Sequence, residues 1–171
     1  GFENPGAAVT VVTAGAHGTV VINANGTVTY TPVAGYAGTD SYTYTVTTGG
    51  VTETATVNVT ITNVAPAPQP DTNSVPEDTP ATGNVLGNET DAETDPLQVT
   101  QFVVNGQTAA AGGSVTIAGV GTLTIAANGA YVFTPVADWH GTVPQVTYTA
   151  TDGNSNGTVT STLDIVVTPV V

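Results

Sequence analysis

The sequence predicts an all-β chain of two tandem antiparallel β-sandwiches, the first of them truncated. An internal repeat relates "HGTVVINANGTVTYTPVAGYAGT" (residues 17–39) to "VGTLTIAANGAYVFTPVADWHGT" (residues 120–142). Short segments rich in threonine and valine alternate apolar and polar residues between turn signals, and no segment has a helical period. About seven such strands per copy, with turns every 8–12 residues or so, are typical of a β-sandwich of the Ig-like type.

Four turns organise the predicted strands. Asn25-Gly26 and Asn128-Gly129 each lie between two alternating segments, and Asn-Gly is the strongest short hairpin signal. Two long strands are predicted on either side of Gly49-Gly50, and their counterparts in the second copy turn at residues 152–157. The repeat therefore extends beyond the matched segment and includes the closing hairpin.

The two copies differ in completeness, which sets the predicted domain boundaries. The second copy has an opening portion, residues 67–101, that the first copy lacks, so the first copy starts at a point equivalent to about residue 104. We therefore expect a truncated module in residues 1–64, a proline-rich linker in residues 65–70 and a complete module in residues 71–171.

Composition excludes several classes of function. The chain of 171 residues has 13 acidic residues and neither lysine nor arginine, so its formal net charge is −13. Nucleic acids and anionic membranes are bound through cationic side chains, so neither is an expected partner. No apolar run is long enough for membrane insertion. The chain contains no cysteine, and we find no nucleophile or acid–base constellation, so the sequence predicts a protein that is not an enzyme.

An acidic run is the strongest candidate for a binding site. Acidic residues occupy every second position from Glu89 to Asp95. In an Ig-like sandwich this loop, the late turn that begins at Asp152 and the opening segment 71–78 are expected at one pole. Clustered carboxylates repel one another, and a calcium ion offsets that repulsion with six to eight oxygen ligands. The alternative is a solvated, charged loop.

The chain also resembles a known family. "APQPDTNSVPEDTPATGNVLGNETDAETDPLQVTQF" (67–102), "NGAYVFTPVADWHGT" (128–142) and "VTYTATDGN" (146–154) resemble the cadherin-like and Ig-like tandem repeats of large bacterial surface adhesins. Adhesins of this kind often belong to the repeats-in-toxin class. "GYAGTDSYTYTV" (35–46) is similar to the closing half of the same repeat. The resemblance implies secreted modules that calcium stiffens into a rod, at the bacterial cell surface or in an extracellular matrix.

The resemblance also implies roles for individual acids. It assigns calcium ligands to the opening glutamate, the acidic loop and the late turn, and we add the first acid after the linker; the expected ligands are Asp71, Glu77, Asp91, Glu93, Asp95 and Asp152. The chain departs from the family pattern with Glu89 and Glu93 where aspartate is usual, and with Thr94 where glycine is usual. Thr48 stands in the first copy where Asp152 stands in the second, so no equivalent late ligand is expected there.

Three functions remain open from the sequence. The leading interpretation is a calcium-stiffened rod segment of an extracellular adhesin or matrix fibre, whose partners are neighbouring copies of the module. The alternative is a self-assembling fibre subunit, in which a neighbouring chain completes the truncated module by strand addition. The same truncation is also expected if the repeat is cut at an arbitrary point of a longer array. A weaker alternative is a carbohydrate-binding accessory module, which would need an exposed row of aromatic residues that the sequence does not provide.

Overall fold

A computed structural model describes residues 6–171 as two compact units that divide between Asn63 and Val64. Unit 1 contains five strands, which are β1 (Ala8–Thr13), β2 (Gly18–Ile22), β3 (Val28–Pro32), β4 (Gly38–Thr48) and β5 (Val51–Ile61). Unit 2 contains ten strands, which are β6 (Asp71–Pro76), β7 (Ala81–Asn84), β8 (Gln98–Val104), β9 (Gln107–Ala110), β10 (Ser114–Ile117), β11 (Gly121–Ile125), β12 (Ala130–Pro135), β13 (Gly141–Thr142), β14 (Val146–Thr151) and β15 (Thr158–Thr168). The all-β class predicted from the sequence is confirmed.

Unit 2 has the two-sheet arrangement expected of an Ig-like sandwich. One sheet has the strand order β10-β11-β12-β7. The other has the order β13-β15-β14-β8-β9, and β6 joins its β15 strand in parallel. That parallel pair departs from the all-antiparallel expectation, because the alternation of side chains is the same in parallel and antiparallel strands and does not reveal their direction.

The core of unit 2 lies between these two sheets. Its largest side chains come from both layers and are almost completely buried: Phe102 on β8, Leu123 on β11, Phe133 on β12 and Tyr148 on β14. Trp139 lies at the edge of the core and packs edge-to-face against Phe133, with ring centroids 6.4 Å apart. The alternating apolar positions of the sequence are therefore the inward-facing positions of a closed sandwich.

Both predicted Asn-Gly hairpins are confirmed. β2 pairs with β3 so that Gly18 lies opposite Pro32, and β11 pairs with β12 so that Gly121 lies opposite Pro135. The two pairings are the same 103 residues apart, since 121 minus 18 and 135 minus 32 both give 103. Gly26 takes a φ of 81°, which a residue with a side chain adopts only at a cost.

Unit 1 is a partial copy of this sandwich. Its sheets have the orders β1-β4-β5 and β2-β3. β1 pairs with β4 over Thr43 to Thr47, where β8 pairs with β14 over Thr147 to Thr151 in unit 2. β1 thus takes the place of β8, and this equivalence was missed because the two strands share no sequence pattern. Within residues 6–63 no strand corresponds to β6, β7, β9 or β10.

In unit 1, hydrogen bonds to the Asp40 carboxylate stabilise the short connection from β1 to β2. Asp40 accepts hydrogen bonds from the backbone N–H groups of Ala16 (3.2 Å) and His17 (3.0 Å) and from the Tyr30 hydroxyl (2.7 Å). The Tyr30 hydrogen bond is the main cause of a lowered pKa for the Asp40 carboxyl. In unit 2 this stretch of chain contains two further strands, β9, which pairs with β8, and β10, which pairs with β11.

No helix within residues 6–171 is long and apolar enough to cross a lipid bilayer.

Burial differs sharply between the two units. None of residues 6–63 is fully buried, whereas 18 hydrophobic residues form the buried core of unit 2. At equivalent positions 103 residues apart, Leu123 is fully buried while Val20 is only partly buried. Unit 2 therefore holds nearly all of the apolar burial that stabilises the described chain.

This difference in burial predicts that shortening a side chain lowers the free energy of unfolding more in unit 2 than in unit 1. Leu123→Ala should lower the free energy of unfolding of unit 2 by about 2–5 kcal/mol, because it opens a cavity in a closed core. Val20→Ala, the matched change in unit 1, should cost about 1 kcal/mol or less, because little surface is removed from water there. Urea unfolding followed by circular dichroism measures both changes, and Trp139 fluorescence isolates unit 2. Equal losses in the two variants would contradict the difference in burial.

Candidate functional site

The acidic loop, residues 86–97, connects β7 to β8. Hydrogen bonds from its backbone to one of its own carboxylates fix its conformation. Asp91 Oδ1 accepts the backbone N–H groups of Glu93 (2.9 Å) and Asp95 (3.0 Å). The loop also places Thr94 in the left-handed region, with a φ of 64°. A β-branched residue is strained in that conformation, so the loop must be held by contacts around it.

The two glutamates of the acidic loop bind the linker, which in the structure comprises residues 64–70, one residue more than the predicted 65–70, because unit 1 ends at Asn63. Glu93 Oε1 accepts the N–H of Val64 at 3.2 Å, and both Glu89 carboxylate oxygens accept the N–H of Gln69, at 3.2 and 3.1 Å. Between them, Ala67 donates its N–H to the Thr90 carbonyl at 2.7 Å in an isolated antiparallel bridge. The longer glutamate side chains, where the family pattern has aspartate, therefore reach across to the neighbouring backbone.

Three prolines leave the linker with few backbone N–H donors, and most of these N–H groups form hydrogen bonds to the acidic loop. Positions 66, 68 and 70 are proline and have no N–H, so Val64, Ala65, Ala67 and Gln69 are the linker's only backbone donors. Three of these four N–H groups donate to the acidic loop. Backbone donors thus supply part of the positive potential that lysine and arginine would otherwise supply.

A buried tyrosine joins the linker, the acidic loop and β6. The Tyr148 hydroxyl lies 2.6 Å from Glu89 Oε1, 2.9 Å from the Val85 carbonyl oxygen and 3.0 Å from Asp71 Oδ2. The Gln69 carbonyl oxygen, at 3.4 Å, is a fourth acceptor for the one hydroxyl proton, so two carboxylates compete for a single donor. Burial raises the pKa of the Asp71 carboxyl, and the charge of Glu89 adds to that rise. Burial and the Glu89 hydrogen bond likewise raise the pKa of the Tyr148 hydroxyl.

The late turn between β14 and β15, residues 152–157, forms a hydrogen bond to the acidic loop. Asn154 donates from its side-chain amide to Asp95 Oδ2 at 2.7 Å and from its backbone to Asp152 Oδ1 at 2.8 Å. Asp152 is only 6% exposed, and its carboxylate packs so closely on Gly157 that any side chain at position 157 would collide with it. Asn154 therefore connects two of the predicted ligands.

Two carboxylate oxygens in the acidic loop are buried without a hydrogen-bond donor. They are Asp91 Oδ2 and Glu93 Oε2, each on a side chain whose other oxygen is hydrogen-bonded. A buried carboxylate oxygen that lacks a donor is costly, and a bound cation is one way to offset that cost. Across residues 6–171, however, no three His, Cys, Asp or Glu side chains already converge on one point that could hold a metal ion.

The structure brings together five of the six predicted ligands in one region. Asp91, Glu93 and Asp95 share the acidic loop, Asp152 is linked to it through Asn154, and Asp71 meets Glu89 at the Tyr148 hydroxyl. Within residues 6–171, however, no three of these side chains converge on one point that could hold a metal ion. Sequence reasoning did not identify Tyr148 or Asn154, and it did not include Glu89 among the ligands.

Glu77 is the exception. β6 runs parallel to β15, with Asp71 opposite Leu163 and the last residue of β6 opposite Thr168. Glu77 continues in that direction, where its Oε1 accepts the N–H of Val170 at 2.7 Å and its Oε2 lies 3.3 Å from His140 Nδ1. The strand thus carries Glu77 away from the acidic loop, since six residues of extended chain span about 20 Å.

The position of Tyr148 predicts the effect of removing its hydroxyl. Tyr148→Phe should lower the free energy of unfolding of unit 2 by about 1–3 kcal/mol, because Glu89 and Asp71 lose the donor that they share. Tyr44→Phe is the matched control, since Tyr44 holds the equivalent place on β4 and is only partly buried. Urea unfolding of both variants, monitored by circular dichroism, provides the measurement. A Tyr148→Phe variant as stable as the unchanged chain would show that the shared hydrogen bond contributes nothing.

Comparison with solved structures gives only distant likenesses. Titin domains Z1Z2 in complex with telethonin align over 100% of this chain and 85% of theirs, at 15% identity and a TM-score of 0.40. Extracellular domains 3–5 of Drosophila OTK align over 86% of this chain and 46% of theirs, at 18% identity and a TM-score of 0.39. An endo-fucoidan hydrolase of glycoside hydrolase family 107 aligns over 99% of this chain at 18% identity and a TM-score of 0.38. This chain spans only 24% of that enzyme's length.

Comparison with protein families is more informative. No curated protein matches the chain significantly. The family described as the bacterial cadherin-like domain matches twice, over residues 3–63 and 63–169, and so covers nearly the whole chain. Domains of this family are typically structural and lie outside the cell or at its surface. The chain therefore belongs to the bacterial cadherin-like domain family and carries two adjacent matches to it.

Proposed function

We propose that this chain is a non-enzymatic rod segment of a secreted bacterial surface adhesin or matrix fibre, in which calcium at the acidic loop stiffens the linker. The observation that carries the proposal is the pair of buried oxygens without donors, Asp91 Oδ2 and Glu93 Oε2. They lie in the same loop that binds the linker backbone. A cation drawn to these oxygens would therefore act on the segment that joins the two copies.

The chemistry of the loop suits calcium better than a softer metal. Calcium takes six to eight oxygen ligands in flexible geometry, whereas zinc and copper favour nitrogen and sulfur. The chain has no cysteine and only two histidines, and its acids lie in alternate positions along the loop. Asp91, Glu93 and Asp95 would provide side-chain oxygens from the loop, with Asp152 close by through Asn154.

Binding would include a movement of the loop. No group of three acidic side chains is already gathered in the described chain, so the ligands must draw together around the ion. Asp91 Oδ1 and Glu93 Oε1 are engaged with backbone N–H groups, which leaves their second oxygens for the metal. The same two side chains could then hold the linker and the ion together.

Calcium should raise the stability of unit 2 and restrict the linker. At about a hundred times its dissociation constant, the ion would add roughly 2.7 kcal/mol to the free energy of unfolding. Thermal unfolding and small-angle scattering, each with calcium and with chelator, would report both effects. The variant that carries Asp91→Ala and Asp95→Ala should lose the response.

Glu77→Gln is the matched control for that experiment. Glu77 was expected among the ligands from the sequence, but its contacts are with Val170 and His140. Its variant should therefore keep the full response to calcium. If chelation leaves both the melting temperature and the overall dimensions unchanged, the acidic loop is a solvated loop and the calcium proposal is wrong.

A fibre subunit completed by strand addition is the second candidate function. The observation that favours it is the absence of any fully buried residue in 6–63, where the sheet β1-β4-β5 leaves large apolar side chains such as Val51 (67% exposed) in contact with water. Exposed apolar surface and unpaired strand edges favour association.

This second function predicts concentration-dependent assembly. Sedimentation velocity over a range of concentrations should show growing species, and electron microscopy should show fibres with a regular repeat. Val46→Asp, which places a charge on the face of β4 that carries Tyr44, should reduce assembly, while Thr43→Asp on the other face of the same strand should not. A chain that stays monomeric at every concentration would contradict self-assembly.

A further inference from the structure

We propose that Asn105, at the tip of the β8–β9 hairpin, is a site of spontaneous covalent modification, at which the asparagine loses ammonia and becomes aspartate or isoaspartate. Three other asparagines of the chain also precede a glycine, and the contacts in the structure distinguish Asn105 from them. The inference goes beyond the proposed function, and it depends neither on calcium nor on assembly.

The reaction needs only this chain and water. The backbone nitrogen of the residue after the asparagine attacks the side-chain carbonyl carbon, Cγ, and a cyclic imide forms. The bond from Cγ to the side-chain nitrogen breaks, and that nitrogen leaves as ammonia with the proton that the backbone nitrogen gives up. Water then opens the imide at either of its two carbonyl carbons, which yields aspartate or isoaspartate and restores the backbone N–H. No oxidant or reductant takes part.

A glycine after the asparagine favours this reaction, because no side chain hinders the approach of its nitrogen. The chain has four such pairs, which are Asn25-Gly26, Asn105-Gly106, Asn128-Gly129 and Asn156-Gly157. The sequence alone does not rank them. A backbone N–H that already donates to a carbonyl must lose that hydrogen bond before its nitrogen can attack, so the hydrogen bonds of the four glycines provide the ranking.

Three of the four glycine N–H groups donate to a carbonyl oxygen three residues earlier. The distances from nitrogen to oxygen are 2.9 Å for Gly26 (to Asn23), 2.9 Å for Gly129 (to Ala126) and 3.1 Å for Gly157 (to Asn154). Gly106 differs, because its N–H donates to no acceptor within residues 6–171. The nitrogen that would attack Asn105 is therefore the one that gives up no hydrogen bond.

The type of turn explains this difference. β8 pairs with β9 so that Val104 lies opposite Gln107, which leaves Asn105 and Gly106 as a two-residue turn. Their φ angles of 50° and 72° are both positive, as in a type I′ turn. The flanking residues close such a turn, so the N–H of its second residue is left for water. In the other three turns the glycine is the last of four residues, and its N–H makes the closing hydrogen bond.

Side-chain contacts add to the protection of the two equivalent hairpins. Asn25 Oδ1 accepts hydrogen bonds from the Thr27 N–H (3.1 Å) and from the Thr27 hydroxyl (2.6 Å). Asn128 Oδ1 accepts the N–H of Ala130 at 3.1 Å. The side chain of Asn105 is exposed and forms no hydrogen bond in the part of the chain that the structure describes. Its amide can therefore turn towards the Gly106 nitrogen without loss of a contact.

A neighbouring charge protects Asn156 in addition. The backbone nitrogen attacks in its deprotonated, negatively charged form, which a nearby carboxylate disfavours. Gly157 packs directly against the carboxylate of Asp152. Around the β8–β9 turn, by contrast, the sequence has no acid between Asp95 and Asp138.

The two products should affect the hairpin differently. Aspartate suits the same turn, because Asp-Gly is also favoured in type I′ turns. Isoaspartate carries the main chain through the side-chain methylene group, so the chain between Val104 and Gln107 becomes one atom longer and no longer fits a two-residue turn. Since Val104 is only 1% exposed in the core, isoaspartate should accelerate hydrogen exchange along residues 101–110.

Mass spectrometry of the full chain after incubation in mildly alkaline buffer, folded and in urea, tests the proposal. In the folded chain we expect Asn105 to react at least about tenfold faster than each of the other three asparagines, which corresponds to about 1.4 kcal/mol. Fragmentation of the chain locates the modified residue. In urea the four rates should converge, because the turns that separate them are lost.

Two variants give the matched comparison. Asn105→Gln should abolish the early change in mass of the folded chain, because glutamine would have to form a larger ring. Asn128→Gln, at another Asn-Gly hairpin of unit 2, should leave the early change as it is. The proposal is overturned if the change persists in Asn105→Gln, or if any of the other three asparagines reacts as fast as Asn105 in the folded chain. An Asn105 that reacts only in urea would overturn it equally.

Discussion

The interaction that shapes the acidic loop and the linker of unit 2 is the one between carboxylates and backbone N–H groups. A chain with 13 acids and no lysine or arginine cannot form ordinary ion pairs, apart from those with its two histidines. Peptide N–H groups, hydroxyls and side-chain amides are the donors that remain, and the acidic loop binds peptide N–H groups of its own backbone and of the linker. The fold of the loop, the course of the linker and the place of Tyr148 all follow from satisfying these negative charges.

Within the acidic loop, the aspartates and the glutamates form hydrogen bonds with different parts of unit 2. The short aspartates act locally: Asp91 closes the loop and Asp95 reaches the late turn. The longer glutamates act at a distance, and Glu89 and Glu93 bind the linker backbone. The additional methylene group of glutamate therefore lets these two side chains reach the linker backbone.

The sequence predicted the local structure well. Asn-Gly at 25–26 and 128–129 specified two hairpins, because a turn with positive φ needs such residues. The acidic run and Asp152 were also placed in one region, because loops at one pole of a sandwich converge. These signals are short in range, or they depend only on the fold class.

What could not be predicted depends on contacts between distant residues. Tyr148 lies 59 residues from Glu89, and no periodicity indicates that its hydroxyl faces two carboxylates. Glu77 was placed with the other acids because alternation along β6 does not reveal that this strand runs parallel to β15. The match of β1 to β8 depends on register, which appears only once β4 is in place.

The spacing of the prolines in the linker has a consequence for which insertions and deletions the linker can tolerate. Its donors at positions 64, 67 and 69 face acceptors in a fixed order, and prolines fill positions 66, 68 and 70. Inserting or deleting one residue would set a proline against an acceptor and leave a carboxylate without its donor. Single-residue length changes in this linker would therefore break its hydrogen bonds, whereas duplication of a whole module would keep every pairing intact. Arrays of this module should accordingly grow and shrink by complete repeats.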